Sequence, residues 1–183
     1  MVNESTTNIL ILRCNICNLY DVAFCLTDMK YVIVFFLYLS LPATLSSEYL
    51  ENLKIKRVID GDTVHVFSKG EVLKVRLVEI DTPEMDQPHG EEAKEYLENL
   101  LKDGYINLEI SGTDIYKRKL GRIYWKEKDI NRLMVKSGHA WVYDQYVTDQ
   151  TFYEDQNYAR SRKLGLWESN DPIQPWEWRR RDK

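Results

Sequence analysis

The chain has 183 residues, of which 44% are hydrophobic and 30% are charged. This composition excludes a disordered or fibrous protein and indicates one globular domain of ordinary size. The formal net charge of −4 does not favour a nucleic-acid partner, although a bound divalent cation would add local positive charge where a substrate lies.

The N-terminal part of the chain has the pattern of a secretory signal peptide at residues 29–47. An apolar run at 31–45 follows a lysine and ends in small residues. The run is shorter than the roughly 20 residues that span a bilayer as a helix. We therefore expect translation to begin at Met29, residues 1–28 to be an over-extended N-terminus, and cleavage to fall near Ser46. The protein would then be secreted or periplasmic; an uncleaved membrane anchor and a buried strand or helix are the alternatives.

The three cysteines all precede residue 29, at Cys14, Cys17 and Cys25. The first two form a C-x-x-C pair, but a zinc site needs two more ligands, and no second pair or nearby histidine follows. We interpret these residues as incidental thiols. The folded domain is predicted to comprise residues 48–183.

Strand and helix signals alternate along this domain. Alternating and β-branched residues predict five strands, at 53–59, 63–67, 72–80, 105–110 and 120–125. Helical spacing of apolar residues predicts three helices, at 90–103, 129–137 and 148–163. The order of strands and helices favours an α+β domain. A helix inserted between the third and fourth strands is typical of the OB arrangement, so we predict a five-stranded OB-fold β-barrel with three helices.

Oxygen ligands are concentrated where two adjacent predicted strands end. Asp60 and Asp62 lie at the first predicted hairpin turn, and Asp81, Thr82 and Glu84 follow the third strand. Each has an ordinary explanation alone, as a turn residue or a helix cap. Together they form a set of hard oxygen donors that suits calcium rather than zinc or copper.

Two arginines complete this set. Arg76 lies on the third predicted strand and Arg118 in the loop before the fifth. Guanidinium groups are planar, permanently charged and matched to phosphate oxygens. Carboxylates that hold a cation and arginines that neutralise a phosphate are the groups that phosphoryl chemistry requires.

The motif D-G-D-T at 60–63, followed by R-L-V-E-I-D-T-P-E at 76–84, closely resembles the staphylococcal (micrococcal) nuclease family. Residues 114–124 resemble that family's second arginine segment, and the resemblance covers about residues 51–168. It implies a calcium-dependent nuclease that cuts the 5′ P–O bond of DNA and RNA and leaves 3′-phosphates. We expect a monomer with no stable membrane association unless the signal segment stays uncleaved.

The resemblance also implies roles for individual residues. Asp62 and Asp81 would bind calcium directly and Thr82 through its main-chain carbonyl, with Asp60 in the outer shell. Glu84 would orient or deprotonate the attacking water.

Arg76 and Arg118 would clamp the phosphate. Other residues would bind the substrate, and these are Tyr116, Lys117, Tyr143 and Tyr146. Asp144 stands where the family pattern has a pocket tyrosine, and the segment between Glu84 and Gly90, which contains Asp86, is short.

Two other functions fit parts of the sequence. An OB barrel can hold single-stranded nucleic acid on aromatic side chains without cutting it. Ribonuclease-type catalysis needs a pair of histidines, but His65, His89 and His139 are scattered in sequence and receive no role. We interpret the tryptophans as packing residues and Arg179–Arg181 as a solvated tail.

Overall fold

The computed structural model describes residues 48–181. The predicted signal segment and the residues before it lie outside this range. The strands are β1 Glu48–Val58, β2 Thr63–Ser68, β3 Glu71–Leu77, β4 Ile80–Asp81, β5 Tyr105–Thr113, β6 Lys119–Trp125, β7 Lys128–Asp129 and β8 Trp141–Val142. The α-helices are α1 Gly90–Leu100, α2 Ile130–Lys136, α3 Thr151–Ser161 and α4 Pro175–Arg181, and a 3₁₀ helix covers Gly165–Glu168. Across residues 48–181, no helix is long and apolar enough to cross a membrane.

Five of these strands close into a barrel. The hydrogen-bonded order is β3-β2-β1-β5-β6, and β3 also pairs with β6, in parallel, which completes the ring. Helix α1 lies in sequence between β3 and β5, as the OB arrangement requires. The predicted five-stranded barrel is therefore confirmed, but the described residues hold four α-helices rather than three, because the C-terminal segment adds α4.

The barrel interior follows from the alternation of apolar side chains. Val64 and Val66 on β2 are fully buried, as is Leu108 on β5, while their neighbours on the same strands are more exposed. Helix α1 adds Ala93 and Leu97 from one face. Complete burial of a side chain such as Val or Leu stabilises the fold by about 1.5–3 kcal/mol.

The predicted third strand breaks before its expected end. Strand β3 stops at Leu77, and Glu79 has a left-handed backbone with φ 67°. Asn131, which is fully buried, fixes this break: its Nδ2 donates to the Val78 carbonyl at 3.0 Å, and its Oδ1 accepts from the Ile123 amide at 3.2 Å. The chain then forms the short strand β4, which pairs with β8 instead of continuing along the barrel.

Helix α3 also begins later than predicted, at Thr151 rather than 148. The reason is that Thr148 and Asp149 use their backbone amides to bind the carboxylate of Glu79, at 2.8 and 3.1 Å. Asp149 Oδ1 then accepts a hydrogen bond from the Thr151 amide at 2.9 Å, which marks the start of the helix.

A second, smaller apolar cluster lies near the C-terminus. It contains Trp141, Ala159, Leu166 and Trp167, with Trp176 packed against it. The rings of Trp141 and Trp167 meet edge to face at 4.4 Å. This cluster joins α3, the 3₁₀ helix and the start of α4.

Candidate active site

The two acidic segments predicted to meet are in direct contact. Asp62, in the turn between β1 and β2, accepts hydrogen bonds on Oδ2 from the Thr82 amide at 3.1 Å and the Thr82 hydroxyl at 3.0 Å. Gly61 permits this approach, because a Cβ at that position would lie 2.7 Å from Thr82 Oγ1. Asp60 Oδ1 accepts from the Asp62 amide at 3.0 Å, which stabilises the turn.

Arg76 joins these carboxylates. Its Nη2 lies 3.1 Å from Asp62 Oδ2 and 2.9 Å from Asp81 Oδ1. Its Nη1 donates to the carbonyls of Leu77 and Ile80, at 2.7 and 3.1 Å, so that the guanidinium is held on both sides. The break after β3 supplies these carbonyls, and pairing of Thr63 with Arg76 places the arginine beside the first turn.

Burial, and the charge of neighbouring carboxylates, disfavour the ionised forms of two acids in this cluster. Burial raises the pKa of Asp81 above its ordinary value, although Arg179 and Arg76 act against this. Burial and the neighbouring charge of Asp62 raise the pKa of Asp60 to about 6. Raised carboxylate pKa values of this kind indicate a site that would gain from additional positive charge.

Arg118 lies in the same cleft but does not contact this cluster. Asp114 holds it: the Arg118 amide donates to Asp114 Oδ1 at 2.9 Å, and Nε donates to Oδ2 at 2.8 Å. Burial acts to raise the pKa of Asp114, but the hydrogen bonds that Arg118 donates and its charge together outweigh burial and lower the pKa below its ordinary value. The Arg118 side chain is 29% exposed and sits 5.6 Å from the centre of the Tyr116 ring.

A cleft of about 1050 Å³ contains these residues. Seven carboxylate side chains line it: Asp60, Asp62, Glu79, Asp81, Glu84, Glu109 and Asp114. Four arginines line it as well: Arg76, Arg118, Arg122 and Arg179. The carboxylates outnumber the cations, so the cleft by itself would repel a phosphodiester.

Three of the predicted substrate-binding residues also line the cleft. Tyr116 and Tyr146 are well exposed, and Tyr143 meets Tyr146 edge to face at 5.0 Å. Lys117, in the same loop as Tyr116, is exposed and lies outside the set of lining residues. Asp144 accepts a hydrogen bond from the Tyr153 hydroxyl at 2.8 Å.

Arg179 belongs to this site, so its interpretation as part of a solvated tail is wrong. Its Nη2 lies 2.7 Å from Asp81 Oδ2, and its Nη1 lies 2.6 Å from Glu84 Oε1. Burial acts to lower the pKa of Arg179, but the hydrogen bonds that it donates to these two carboxylates raise the pKa above its ordinary value. The tryptophans at 176 and 178, in a helix-forming segment, were the available signal that this tail packs against the domain.

A second missed feature is an ion-pair network on the cleft wall. Glu79 accepts from both Nε and Nη2 of Arg122, the former at 2.7 Å, and from the Thr148 hydroxyl at 2.7 Å. Glu79 and Thr148 are 69 positions apart, so no local pattern could reveal the contact. This network ties the break after β3 to the segment that follows Tyr146.

The histidines lie elsewhere. His89 Nε2 and His139 Nδ1 are 3.0 Å apart, and the His139 ring stacks on Tyr96 at 4.1 Å. Burial and the charge of His89 lower the pKa of His139 to about 4. None of the three histidines is among the cleft-lining residues, and they stay without a role.

The donor chemistry fits a hard cation. Asp62 and Asp81 offer only oxygen, and each has a carboxylate oxygen within 3.1 Å of the same Arg76 nitrogen, so their carboxylates face one point. As they stand, the described residues contain no group of three or more His, Cys, Asp or Glu side chains spaced to hold a metal ion. Two guanidinium groups, from Arg76 and Arg179, occupy the oxygens of Asp81 instead.

Comparison with known proteins yields one family and several relatives. Residues 74–169 match the family model described as staphylococcal nuclease homologue. An uncharacterized endonuclease of Haemophilus influenzae is 40% identical over 131 residues, which cover 71% of this chain and 74% of that protein. For an uncharacterized endonuclease of Escherichia coli O157:H7 the identity is 39% over 129 residues, 70% of this chain and 84% of that protein. A micrococcal nuclease of Shigella flexneri is 35% identical over 141 residues, 71% of this chain and 81% of that protein.

Proposed function

Because the chain belongs to the staphylococcal nuclease family, we propose that it is a calcium-dependent nuclease that acts on DNA and RNA. In this proposal it hydrolyses the 5′ P–O bond and leaves 3′-phosphates. The observation that carries the proposal is the contact of one arginine, Arg76, with two buried carboxylates, Asp62 and Asp81, in the lining of a wide cleft.

The excess of carboxylates over arginines in the cleft supports the need for a cation. We propose that Asp62, Asp81 and the Thr82 carbonyl hold calcium, with Asp60 in the outer shell. When bound, the ion would neutralise phosphate charge and favour the negative charge that develops during displacement at phosphorus.

The protein's own residues would perform the remaining steps. Arg76 and Arg118 line the same cleft and would bind non-bridging phosphate oxygens from two directions. Glu84, whose side chain is 39% exposed, is accessible to a water molecule, which it would orient and deprotonate. The water oxygen would bond to phosphorus as its proton passes to Glu84, the bond between phosphorus and the 5′ oxygen would break, and the 5′ oxygen would take up a proton from solvent.

Substrate stacking would involve the cleft tyrosines. Tyr116 and Tyr146 expose large parts of their rings, which suits contact with unpaired bases. Lys117, in the loop that carries Tyr116, would contribute positive charge from outside the cleft lining. Stacking contacts the base face and not the 2′-hydroxyl that distinguishes RNA from DNA, so we propose that both DNA and RNA are cut.

The central experiment compares Glu84→Gln with Glu98→Gln. Glu98 is exposed on α1, so its variant removes the same charge away from the cleft. With a fluorescent single-stranded oligonucleotide and calcium, Glu84→Gln should lose cleavage by about a hundredfold or more, the usual contribution of a general base. Anisotropy should show that oligonucleotide binding is retained, and Glu98→Gln should cleave like the parent protein.

The products and the cation provide further checks. Phosphatase treatment should change the mobility of the 5′-labelled product, since it carries a 3′-phosphate. A calcium chelator should abolish cleavage. Cleavage in chelator with magnesium but not with calcium would contradict the proposal, and binding without cleavage under every condition would favour the non-catalytic nucleic-acid-binding module.

We also propose that the protein is exported. The support is the sequence pattern at 29–47 alone, which lies outside the described residues. Expression of the full chain in a bacterial host, followed by N-terminal sequencing of the extracellular or periplasmic protein, should give a start near Ser46. A full-length product that stays in the membrane fraction would contradict export by cleavage.

A further inference from the structure

Helix α4 covers two parts of the cleft at once. Arg179 binds Asp81 and Glu84 at the acidic end. Three residues earlier on the same helix, Trp176 stacks on Tyr143, with ring centres 5.5 Å apart and planes within 7°. A base that stacked on that face of Tyr143, and a cation that bound to Asp81, would each meet α4.

The contacts of Arg179 resemble those of a bound cation. Its two terminal nitrogens bridge a carboxylate that is almost fully buried, Asp81, and one that is partly exposed, Glu84. Nη1 lies also 3.4 Å from the second oxygen of Asp81, so the guanidinium faces both oxygens of that group. Arg179 therefore supplies the positive charge that the acidic cluster needs when no other cation is bound.

A divalent cation and Arg179 would compete for the same oxygens. Calcium binds carboxylate oxygens at about 2.3–2.6 Å, and the Arg179 nitrogens already lie 2.7 Å from Asp81 Oδ2 and 2.6 Å from Glu84 Oε1, so the ion and the guanidinium cannot hold these oxygens together. Arg76 is anchored by two backbone carbonyls, whereas the Arg179 side chain is 41% exposed and sits on a seven-residue helix. Arg179 is therefore the group that would move.

The attachment of α4 is consistent with such movement. The start of the helix is anchored, because Pro175 is buried and Trp176 packs against Tyr143 and against Trp141 of the second apolar cluster. From Glu177 onward the residues are partly or fully exposed, and Trp178 Nε1 donates a hydrogen bond of 3.3 Å to Asp86. Gln87 Nε2 donates to the Ile173 carbonyl at 2.7 Å just before the helix. Segments with few buried contacts open at low free-energy cost.

We infer that Arg179 is a further active-site residue: it is the built-in counter-ion of Asp81 and Glu84, and a divalent cation must displace it, together with the exposed part of α4 that carries it, to bind. The inference rests on the proposed function, because it assigns the cation to Asp81. Arg179 thus sets the cation concentration at which the site becomes competent. It is a positioning residue rather than a catalytic one.

Calcium titration of the full chain by isothermal calorimetry, without nucleic acid, tests this inference. Arg179→Gln should bind calcium about tenfold more tightly than the parent, since the competing ion pairs are lost. Arg179→Lys, which keeps the charge, should stay close to the parent. Arg181→Gln removes the same charge from an exposed position on α4 and should change the affinity less than twofold.

A second variant, Trp176→Ala, tests the same displacement of Arg179 without changing its charge. Trp176→Ala keeps the Arg179 side chain but removes the stack of Trp176 on Tyr143. Because this weakens the attachment of α4, calcium should displace Arg179 more easily and bind more tightly. Circular dichroism verifies that each variant is folded. The calcium concentration for half-maximal cleavage should fall in parallel with the dissociation constant.

The outcomes distinguish failure of the inference about Arg179 from failure of the proposed function. Equal or weaker calcium binding by Arg179→Gln than by Arg181→Gln, with calcium-dependent cleavage intact, overturns this inference and leaves the proposed function standing. Failure of every variant to bind calcium or to cleave overturns both.

Discussion

Replacement of Glu79 by glutamine should destabilise the folded protein by about 2–3 kcal/mol. Glu79 is 5% exposed and binds Arg122 on one oxygen and Thr148 and Asp149 on the other. Loss of one partner of a buried ion pair costs about 3–5 kcal/mol. The cost is reduced here because Arg122 retains Asp149 at 3.5 Å and is partly hydrated. Glutamine keeps one acceptor oxygen but directs an amide donor at other donors.

Thermal unfolding by circular dichroism measures the effect. For a domain of this size, 2–3 kcal/mol corresponds to a fall in Tm of about 10 °C. The matched control is Glu98→Gln, which removes the same charge from an exposed helix position and should lower Tm by less than about 2 °C. A fall no larger than that of the control would refute the reasoning.

The pH dependence adds a second criterion. Burial acts to raise the pKa of Glu79, but the hydrogen bonds from Thr148 and the contacts of Arg122 outweigh it and lower the pKa below its ordinary 4.5. The unfolded chain therefore takes up this proton at higher pH than the folded chain does. The stabilisation is complete above about pH 4.5 and is lost as the pH falls through the lower, folded-state value. The difference in Tm between parent and variant should accordingly shrink in acid.

Two further predictions concern the segment after the acidic cluster and the histidine pair. Gly90→Ala would place a Cβ onto the carbonyl oxygen of Glu84. It should therefore lower the free energy of unfolding, measured with denaturant, by about 1–3 kcal/mol and reduce cleavage. Gly112→Ala, where the nearest atom to the new Cβ is 4.0 Å away, is the control, and equal effects of the two variants would contradict the prediction. His139→Gln should flatten the fall of Tm between pH 6.5 and 4. The reason is that burial and the charge of His89 lower the pKa of His139 to about 4. Between pH 6.5 and 4 the unfolded parent chain therefore binds a proton at His139 that the folded chain does not bind, which lowers the stability of the folded chain. Parallel curves of Tm against pH would disprove it.

The barrel and the central pair of carboxylates were predictable because their signals are local. The alternation of apolar and polar residues determines which face of each strand is buried, and the antiparallel pairing of β2 with β3 brings Thr63 opposite Arg76. Asp62 directly precedes β2 and Asp81 follows β3, so the two acids meet at the same end of this antiparallel pair, and the position of Arg76 between them follows from strand register.

The errors share one cause, which is a partner distant in sequence. The strand predicted to reach residue 80 ends at Leu77 because Asn131 binds the Val78 carbonyl and because Glu79 is held by Arg122 and Thr148, all far along the chain. Arg179 reads as a solvated tail residue because its partner Asp81 lies 98 positions earlier. Propensity and periodicity describe neighbours along the chain, so contacts of this kind escape them.

The parallel pairing of β3 with β6 bears on how the molecule reaches its working form. This pairing places Arg76 beside Leu120, about 44 residues later in the chain. Contacts between distant segments carry a large loop-closure entropy and tend to form late in folding. Without this pairing, β3 and β6 would lie at opposite ends of the strand order, so Arg76 and the loop that carries Arg118 would not be neighbours. A nascent or partly folded chain would therefore be inactive, and activity would appear only once the barrel has closed.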